Sequence, residues 1–311
     1  MKKNMINSVH IEGVLYSHTL EARVSGENSK NPGTPYINGT IDIATDNDMT
    51  NVVSIHYTYA TPVYGTSGKN NPNYAILSDI IAGKYKNVTE HGVEAAVKLR
   101  VDSNVGLNEF YSDRNGEEEL VSVKRNEGGF IHVVTKLDED EKKRNTFTTD
   151  MIITNVTRKE PDEDRNIPER VIVRGCIFDF RNSILPVEYI ATSQGAMNYF
   201  EGLNASNKQP VFTKVWGREI ATTITRTITE ESAFGEPSVR EVNSTRRDFL
   251  ITGASTEPYA WDDESTITAA ELNKAMTDRQ TYLATMKQRQ DEYKASQNQS
   301  TSTPASGGFN F

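Results

Sequence analysis

The sequence predicts a mainly-β protein made of two barrel-like β domains, a C-terminal helix and a polar tail. Apolar and polar residues alternate with a period of two, with many β-branched and aromatic residues, from the start of the chain to about residue 255. The 311 residues are enough for two domains that each bury a core. A charged segment without apolar periodicity, residues 159–170, contains two prolines and marks the expected linker between the domains.

The first domain, residues 1–158, contains a set of predicted strands. They begin at Val9, Tyr36, Val52, Ala95, Gly129 and Thr146. Between the third and the fourth, residues 71–85 carry apolar side chains on one helical face, from Tyr74 to Ile81, and Gly83 follows as a C-cap. One short helix is therefore expected to interrupt this set of strands.

The second domain, residues 171–257, repeats this order of elements. Its strands begin at Val171, Leu185, Val211 and Arg246, with a short helix near residues 194–203. The segments from Val9 and Val171 align with Gly13 and Gly175 at the same offset, and a glycine inside a strand usually marks a bulge or a sharp bend. About five strands, a helix before the fourth and a mid-strand glycine predict two tandem OB-like β-barrel domains.

The C-terminal part of the chain, residues 258–296, is predicted to be helical. Thr268 and Glu271 have the spacing of a capping box, and apolar residues follow at helical spacing: Leu272, Met276, Leu283 and Met286. The last segment, residues 297–311, is rich in Ser, Thr, Gln and Gly and is expected to be disordered. It nevertheless ends in two aromatic residues, Phe309 and Phe311.

Motifs of catalysis, metal binding and cofactor binding are not found in the sequence. The GTSGKN at 65–70 fails as a phosphate-binding loop, because Val63 stands at its first glycine and Asn70 at its Ser/Thr position. The five histidines show no ligand spacing, and the single Cys176 excludes an intramolecular disulfide and a thiolate zinc cluster. We expect no enzyme, no cofactor and no metal, whereas catalytic carboxylates dispersed along the chain would leave no such motif.

The chain is expected to be a cytoplasmic protein. Its N-terminus lacks the apolar run of a signal peptide, and no segment approaches the roughly 20 apolar residues of a membrane span. The net charge of -9 argues at first against a polyanionic partner. Acidic residues, however, gather in short runs at 117–119, 138–141, 160–164 and 262–264, apart from mixed basic and aromatic stretches. Net charge alone therefore decides little.

Several strands combine aromatic and basic side chains, the two groups that sequence-independent binding of single-stranded nucleic acid needs. Lys214, Trp216 and Arg218 share one face of a predicted strand, which makes a buried position for the tryptophan unfavourable. Each tyrosine taken singly is equally well explained by core or rim packing. The predicted nucleic-acid-binding residues are Tyr57, Tyr59, Tyr64, Lys98, Arg100, Phe110, Tyr111, Phe130, Lys214, Trp216 and Arg218.

This combination resembles the single-stranded DNA-binding proteins of bacteriophages and bacteria, in which OB-like β domains precede a polar tail that ends in phenylalanine. The resemblance is architectural and covers the strand order of both domains and the tail. It implies single-stranded DNA as a partner, and docking of replication or recombination proteins at Phe309 and Phe311. In that family an acidic stretch precedes the final phenylalanine, whereas GGFNF carries no acidic residue here.

The leading hypothesis is a non-catalytic protein, of phage origin, that coats single-stranded DNA in replication or recombination. Two other classes stay open. A phage structural or assembly protein would use its β domains and helix for protein contacts only, and would show no salt-dependent DNA binding. An enzyme acting on nucleic acid through dispersed carboxylates would need a divalent metal, so that EDTA would abolish its turnover.

Overall fold

The computed structural model describes residues 5–114, 117–163, 167–230, 234, 238–261 and 267–300. The strands in these ranges are β1 (Asn7–His18), β2 (Glu21–Val24), β3 (Pro35–Ala44), β4 (Val52–Ala60), β5 (Lys98–Arg114), β6 (Glu117–Val133), β7 (Asn145–Lys159), β8 (Arg170–Phe178), β9 (Ile184–Ala191), β10 (Val211–Glu230) and β11 (Ser238–Ala254). The α-helices are α1 (Pro72–Ile81), α2 (Val88–His91), α3 (Gln194–Gly202) and α4 (Ala269–Ser300).

Five strands of the first half close into a ring, here called the first ring. β1 pairs with β3 and β5, β3 with β4, and β5 with β6, all antiparallel. A parallel pairing between β4 and β6, with Ile55 opposite Asn126, completes the circle. β2 is an additional strand at the edge of β3. The predicted helix is α1, which ends before Gly83 in a left-handed conformation (φ 72°).

The second ring repeats this connectivity. β7 pairs with β8 and β10, β8 with β9, and β10 with β11, all antiparallel, and a parallel pairing of β9 with β11 closes the circle. α3 precedes the fourth strand of this ring as α1 precedes the fourth strand of the other. The predicted fold class is confirmed: the chain is mainly β, with two OB-like rings followed by a C-terminal helix.

The two rings are joined by an antiparallel pairing of β1 with β7. Val9 lies opposite Phe147 in this pairing and both are buried, so both ring interiors lie on the same side of the joined strands. One hydrophobic cluster consequently runs from Ile41 and Ile55 in the first ring to Val173 and Ile251 in the second. The rings therefore share a core.

This junction changes the expected domain boundary. β7 begins at Asn145 and belongs to the second ring, whereas residues 1–158 were expected to form the first domain. Residues 159–170 connect β7 to β8 within the second ring, and the chain passes between the rings after β6. Period-two alternation identifies strands but not their partners, so it could not show that β7 belongs to the second ring.

The internal repeat also needs correction by one strand. The segment that aligned with β1 is β8, which is the second strand of its ring and not the first. Gly13 and Gly175 nevertheless both mark close approach of neighbouring strands. A Cβ at Gly13 would lie 2.0 Å from the Ala44 carbonyl oxygen, and a Cβ at Gly175 would lie 2.0 Å from that of Ile152.

α4 packs along both rings and begins at the predicted capping box, whereas residues 258–261, which were included in the predicted helical part, are not helical. Thr268 and Glu271 form a reciprocal capping box, with Thr268 N to Glu271 Oε2 at 3.0 Å and Glu271 N to Thr268 Oγ1 at 3.2 Å. Its first turns join a second hydrophobic cluster on the outside of the second ring, with Ile184, Phe212 and Ala275. The helix continues to Ser300 and includes residues 297–300 of the predicted tail, while residues 301–311 lie outside the described residues.

The later turns of α4 contact the β5–β6 hairpin of the first ring. Arg279 pairs with Glu109 at 2.5 Å, and both side chains are largely buried. Gln290 binds the backbone of Tyr111, accepting from its N–H at 3.3 Å and donating to its carbonyl at 2.8 Å. α4 therefore ties the second ring to the hairpin of the first.

Candidate nucleic-acid interface

Outward side chains of β6, β5, β1, β7 and β10 form one continuous surface across both rings, here called the seam face. His10 of β1 lies opposite Asp102 of β5 and Thr146 of β7. Phe130 of β6 lies opposite Asp102, and Trp216 of β10 lies opposite Thr148. Directly opposed residues of paired strands share a face, so the β1–β7 junction extends the outer surface of one ring into that of the other.

Trp216 lines a groove of about 460 Å³ on the seam face. The groove is lined by Lys142, Thr146, Phe147, Thr148, Trp216, Gly217, Arg218 and Thr252. A Cβ at Gly253 would lie 2.3 Å from Trp216 Nε1, so only glycine leaves room for the indole against β11. The tryptophan remains 39% exposed. The groove thus combines an accessible aromatic side chain with two cationic residues, as base stacking next to a phosphate requires.

The cations of the seam face are largely free of acidic partners. Among the described residues, no carboxylate lies within 4.0 Å of the charged groups of Lys98, Lys142, Lys214 or Arg218. Arg100 has only a distant contact, 3.9 Å from Asp102 Oδ2. Asp102 itself is 2.8 Å from His10 Nδ1, and Glu12 is largely buried and accepts from the Asp138 N–H. Net positive charge is therefore available here despite the acidic chain.

Six predicted binding residues from separate segments meet on the seam face. They are Lys98, Arg100, Phe130, Lys214, Trp216 and Arg218. Phe130 is 60% exposed. Phe212, which shares the outward side of β10 with Trp216, is instead covered by Tyr259 and Trp261. The structure brings Lys214, Trp216 and Arg218, the other residues on this side of β10, into one surface with residues of the first ring.

Tyr57 is a correction. It lies inside the first ring with 5% of its surface exposed, and its burial raises the pKa of the phenol. It therefore cannot stack on a base. Tyr59 is exposed but packs against Tyr36, with ring centroids 4.6 Å apart, and its hydroxyl shares a 2.8 Å hydrogen bond with Ser25. Tyr64 is exposed in the loop before α1.

Phe110 and Tyr111 lie on the β5–β6 hairpin beyond the pairing of β5 with β1, and as consecutive strand residues they point to opposite faces of β5. Lys287 of α4 lies 5.1 Å from the centroid of the Tyr111 ring, so an element of the protein already contacts the position predicted for a base. Phe110 is exposed. The two residues predicted to bind partners, Phe309 and Phe311, lie outside the described residues.

A second polar surface was missed by the sequence analysis. It is a cleft of about 710 Å³, here called the inter-arm cleft, between the β5–β6 and β10–β11 hairpins. Its floor is the outward side of β3 and β4, and its lining includes Thr40, Asp42, Ser54, His56, Lys124, Arg125, Asn126, Glu219, Arg247 and Phe249. The residues come from distant segments, and the local signal was Glu219, a charged residue on the strand face of Val215, Gly217 and Ala221.

Burial controls the ionisation of the inter-arm cleft. It raises the pKa of Glu219 to about 7, although a hydrogen bond from Asn126 and the charges of Arg247 and Lys124 act in the opposite direction. Burial also lowers the pKa of Lys124 and, together with Arg125, that of His56. Lys124 donates to the Glu188 carbonyl and lies 5.3 Å from the centroid of the Phe249 ring.

The described ranges contain neither a cluster of metal-ligating side chains nor a membrane-spanning helix. No three His, Cys, Asp or Glu side chains lie close enough together there to hold a metal ion. No helix in the same ranges is long and apolar enough to cross a membrane. Cys176 is half-buried beside the second hydrophobic cluster, and burial raises the pKa of its thiol to about 12, so the thiol is poorly suited to act as a nucleophile.

Comparison with known families gives one match over most of the chain. The family model described as YorF matches residues 6–289. The chain belongs to the YorF family. The matched residues include both rings and the first two thirds of α4. No curated protein matches the sequence at a significant level.

Two solved structures are similar to this YorF-family chain at low identity. Both are of the single-stranded DNA binding protein from Thermus aquaticus. The wild type is 10% identical with a TM-score of 0.43, covering 85% of this chain and 100% of that chain. A mutant with an internal deletion and a substitution is 9% identical with a TM-score of 0.44, covering 81% and 94%. Similarity at this level assigns no function to the YorF-family chain.

Proposed function

We propose that this YorF-family chain is a non-catalytic protein that binds single-stranded DNA on its seam face and coats it during replication or recombination. One observation carries the proposal: basic and aromatic residues of both rings, far apart in the sequence, lie on one continuous sheet surface. Phe130 and Trp216 are exposed there, and four cations have no carboxylate partner among the described residues. Sequence-independent binding of a single strand needs this combination.

The chemistry follows from the two kinds of side chain. Bases stack on Trp216 and Phe130, each stack contributing roughly 1–3 kcal/mol. Phosphates meet Lys98, Lys142, Lys214 and Arg218, which releases bound counterions and makes the affinity fall with salt. Because the whole chain carries a net charge of -9, repulsion confines the strand to this surface.

The first test is fluorescence anisotropy of a labelled oligo-dT strand at low and moderate salt, beside a duplex of equal length. We expect binding of the single strand that weakens with salt and weaker binding of the duplex. No binding of the strand at low salt would contradict the proposal and favour a structural protein that makes protein contacts only.

The surface is tested with a pair of exposed aromatic residues. Trp216→Ala should weaken binding of the strand by about tenfold, since it removes a stacking platform. The matched control is Phe180→Ala, because Phe180 is 82% exposed but lies between β8 and β9, off the seam face. Equal losses in the two variants, or none in Trp216→Ala, would place the strand elsewhere.

A further inference from the structure

Two acceptor atoms of the inter-arm cleft have no donor from the protein. Asn126 is 1% exposed, and its Nδ2 donates to Glu219 Oε2 at 2.7 Å and to the Ser54 carbonyl at 3.3 Å. Its Oδ1 is buried without a hydrogen-bond partner. Glu219 is 5% exposed, and its second oxygen, Oε1, accepts no hydrogen bond from the described residues. Asn126 Oδ1 is closed to solvent, whereas the unpaired Glu219 Oε1 favours a ligand that donates a hydrogen bond.

The surroundings of these acceptors are cationic and roomy. Arg247 is exposed in the cleft, its Nε donates to the Val52 carbonyl at 3.4 Å, and no carboxylate of the described residues pairs with it. Arg125 lies nearby but is held by Glu127 at 2.5 Å. The volume of about 710 Å³ falls within the roughly 300–1,000 Å³ of small-ligand sites. The cleft thus offers Glu219 Oε1 of β10 as an acceptor, and an Arg247 guanidinium that has no carboxylate partner among the described residues.

We infer that the inter-arm cleft binds a nucleotide whose base carries an exocyclic amino group. The amino group donates to Glu219 Oε1, and the phosphate meets Arg247. Thymine is rejected, because its O4 would face Glu219 Oε1 with lone pairs and leave this oxygen without a donor. The nucleotide is either free or part of a bound single strand, and the second source rests on the proposed function.

The first test compares two mononucleotides by calorimetry on the full chain at pH 8. 5-Methyl-dCMP and dTMP have the same shape, but the first has an amino group where the second has O4. We expect 5-methyl-dCMP to bind at least about tenfold more tightly, since hydrogen bonds to charged and buried acceptors discriminate strongly. Glu219→Gln should remove this preference, because its amide presents a donor to the cleft.

Matched variants separate this effect from misfolding. Phe180→Ala, at an exposed side chain outside the seam face and the lining of the cleft, should keep the preference. Arg247→Ala, at an exposed side chain, should weaken the binding of both nucleotides equally and also keep the preference for 5-methyl-dCMP. If Glu219→Gln does not fold, the wild type and Arg247→Ala still test the inference. The inference is contradicted if the wild type binds both nucleotides with equal affinity, or if Arg247→Ala loses the preference for 5-methyl-dCMP.

The source of the nucleotide is decided with oligonucleotides. An oligo-dT strand is compared with one in which every third thymine is replaced by 5-methylcytosine. A preference with the substituted strand supports a base of the bound strand, and a preference with mononucleotides alone supports a free nucleotide. No preference in either format, with oligo-dT still bound, would overturn the inference and leave the proposed function standing. If no oligonucleotide binds, the proposed function is contradicted, and the comparison of the two mononucleotides then tests the inference by itself.

Discussion

At the scale of single residues, the buried polar groups between the rings have the largest consequences. Asn145 Nδ2 donates to the Glu219 carbonyl at 2.5 Å, and Glu219 N donates to Asn145 Oδ1 at 3.2 Å. Asn51 Oδ1 accepts from Ala221 N at 2.7 Å, and Asn51 Nδ2 donates to the Glu219 carbonyl at 3.2 Å. The Glu219 backbone is therefore fixed at the junction of the rings, which places its carboxyl where burial opposes ionisation.

This position predicts that stability falls as pH rises. The pKa of Glu219 is about 7 in the folded protein against an ordinary value of 4.5, so between these values the folded state holds a proton that the unfolded state has lost. The free energy of unfolding should decrease across this window by about 3 kcal/mol in total. Urea unfolding at pH 5 and pH 8 measures it. Glu219→Gln should lose this pH-dependent decrease in the free energy of unfolding, and Glu188→Gln, at an exposed side chain, should retain it.

Tyr57 gives a second prediction at this scale. Its hydroxyl is buried without a hydrogen-bond partner, so Tyr57→Phe removes an unsatisfied group and keeps the ring. The free energy of unfolding should rise by about 1 kcal/mol, measured by urea unfolding. Affinity for oligo-dT should stay unchanged, since the aromatic side chain of Tyr57 lies inside the first ring. A marked loss of affinity would show that this tyrosine reaches the strand after all.

At the scale of elements, α4 depends on one buried ion pair. The side chains of Arg279 and Glu109 are 14% and 5% exposed, and Arg279 also donates to the Ile184 carbonyl at 3.1 Å. Arg279→Ala would leave the Glu109 carboxylate buried without its partner. We expect a loss of about 3 kcal/mol in the free energy of unfolding, with faster amide exchange along α4.

The control for this prediction lies on the same helix. Lys274 pairs with Asp278 at 2.6 Å, but both side chains are more than half exposed. Lys274→Ala should therefore change stability little, as exposed ion pairs contribute little. Similar losses in the two variants would mean that charge on α4 in general, and not the buried contact, holds the helix in place.

At the scale of the whole molecule, the shared core predicts one cooperative unfolding transition. Ile41 in the first ring and Ile177 in the second are both fully buried in the same cluster. Ile41→Ala and Ile177→Ala should each cost about 3 kcal/mol and shift the same transition. Fluorescence reports the second ring, because Trp216 and Trp261 both belong to it or its flank, and amide exchange of β3 and β4 reports the first. Separate transitions would contradict a shared core.

The sequence alone predicted most of the strands, the helices α1, α3 and α4, and the line of side chains on β10, but it missed β2, α2 and the first halves of β6 and β11. Lys214, Trp216 and Arg218 share an outward face as predicted, because the irregularity beside Trp216 places its extra residue on β11 and leaves the alternation of β10 intact. The capping box of α4 was also readable, since its two side chains bind backbone groups only three residues apart. Such features depend on local geometry.

Only the tertiary structure decided which faces meet. Tyr57 and Tyr59 share a face by period two, but a register shift between β3 and β4 places an extra residue in β4. The side chain of Tyr57 therefore points into the first ring, and that of Tyr59 points outward. Likewise the pairing of β1 with β7 unites the seam face, and the two hairpins bring Asn126 to Glu219. Strand pairing between distant segments depends on how the whole chain closes its core, and alternation along a single strand does not record it.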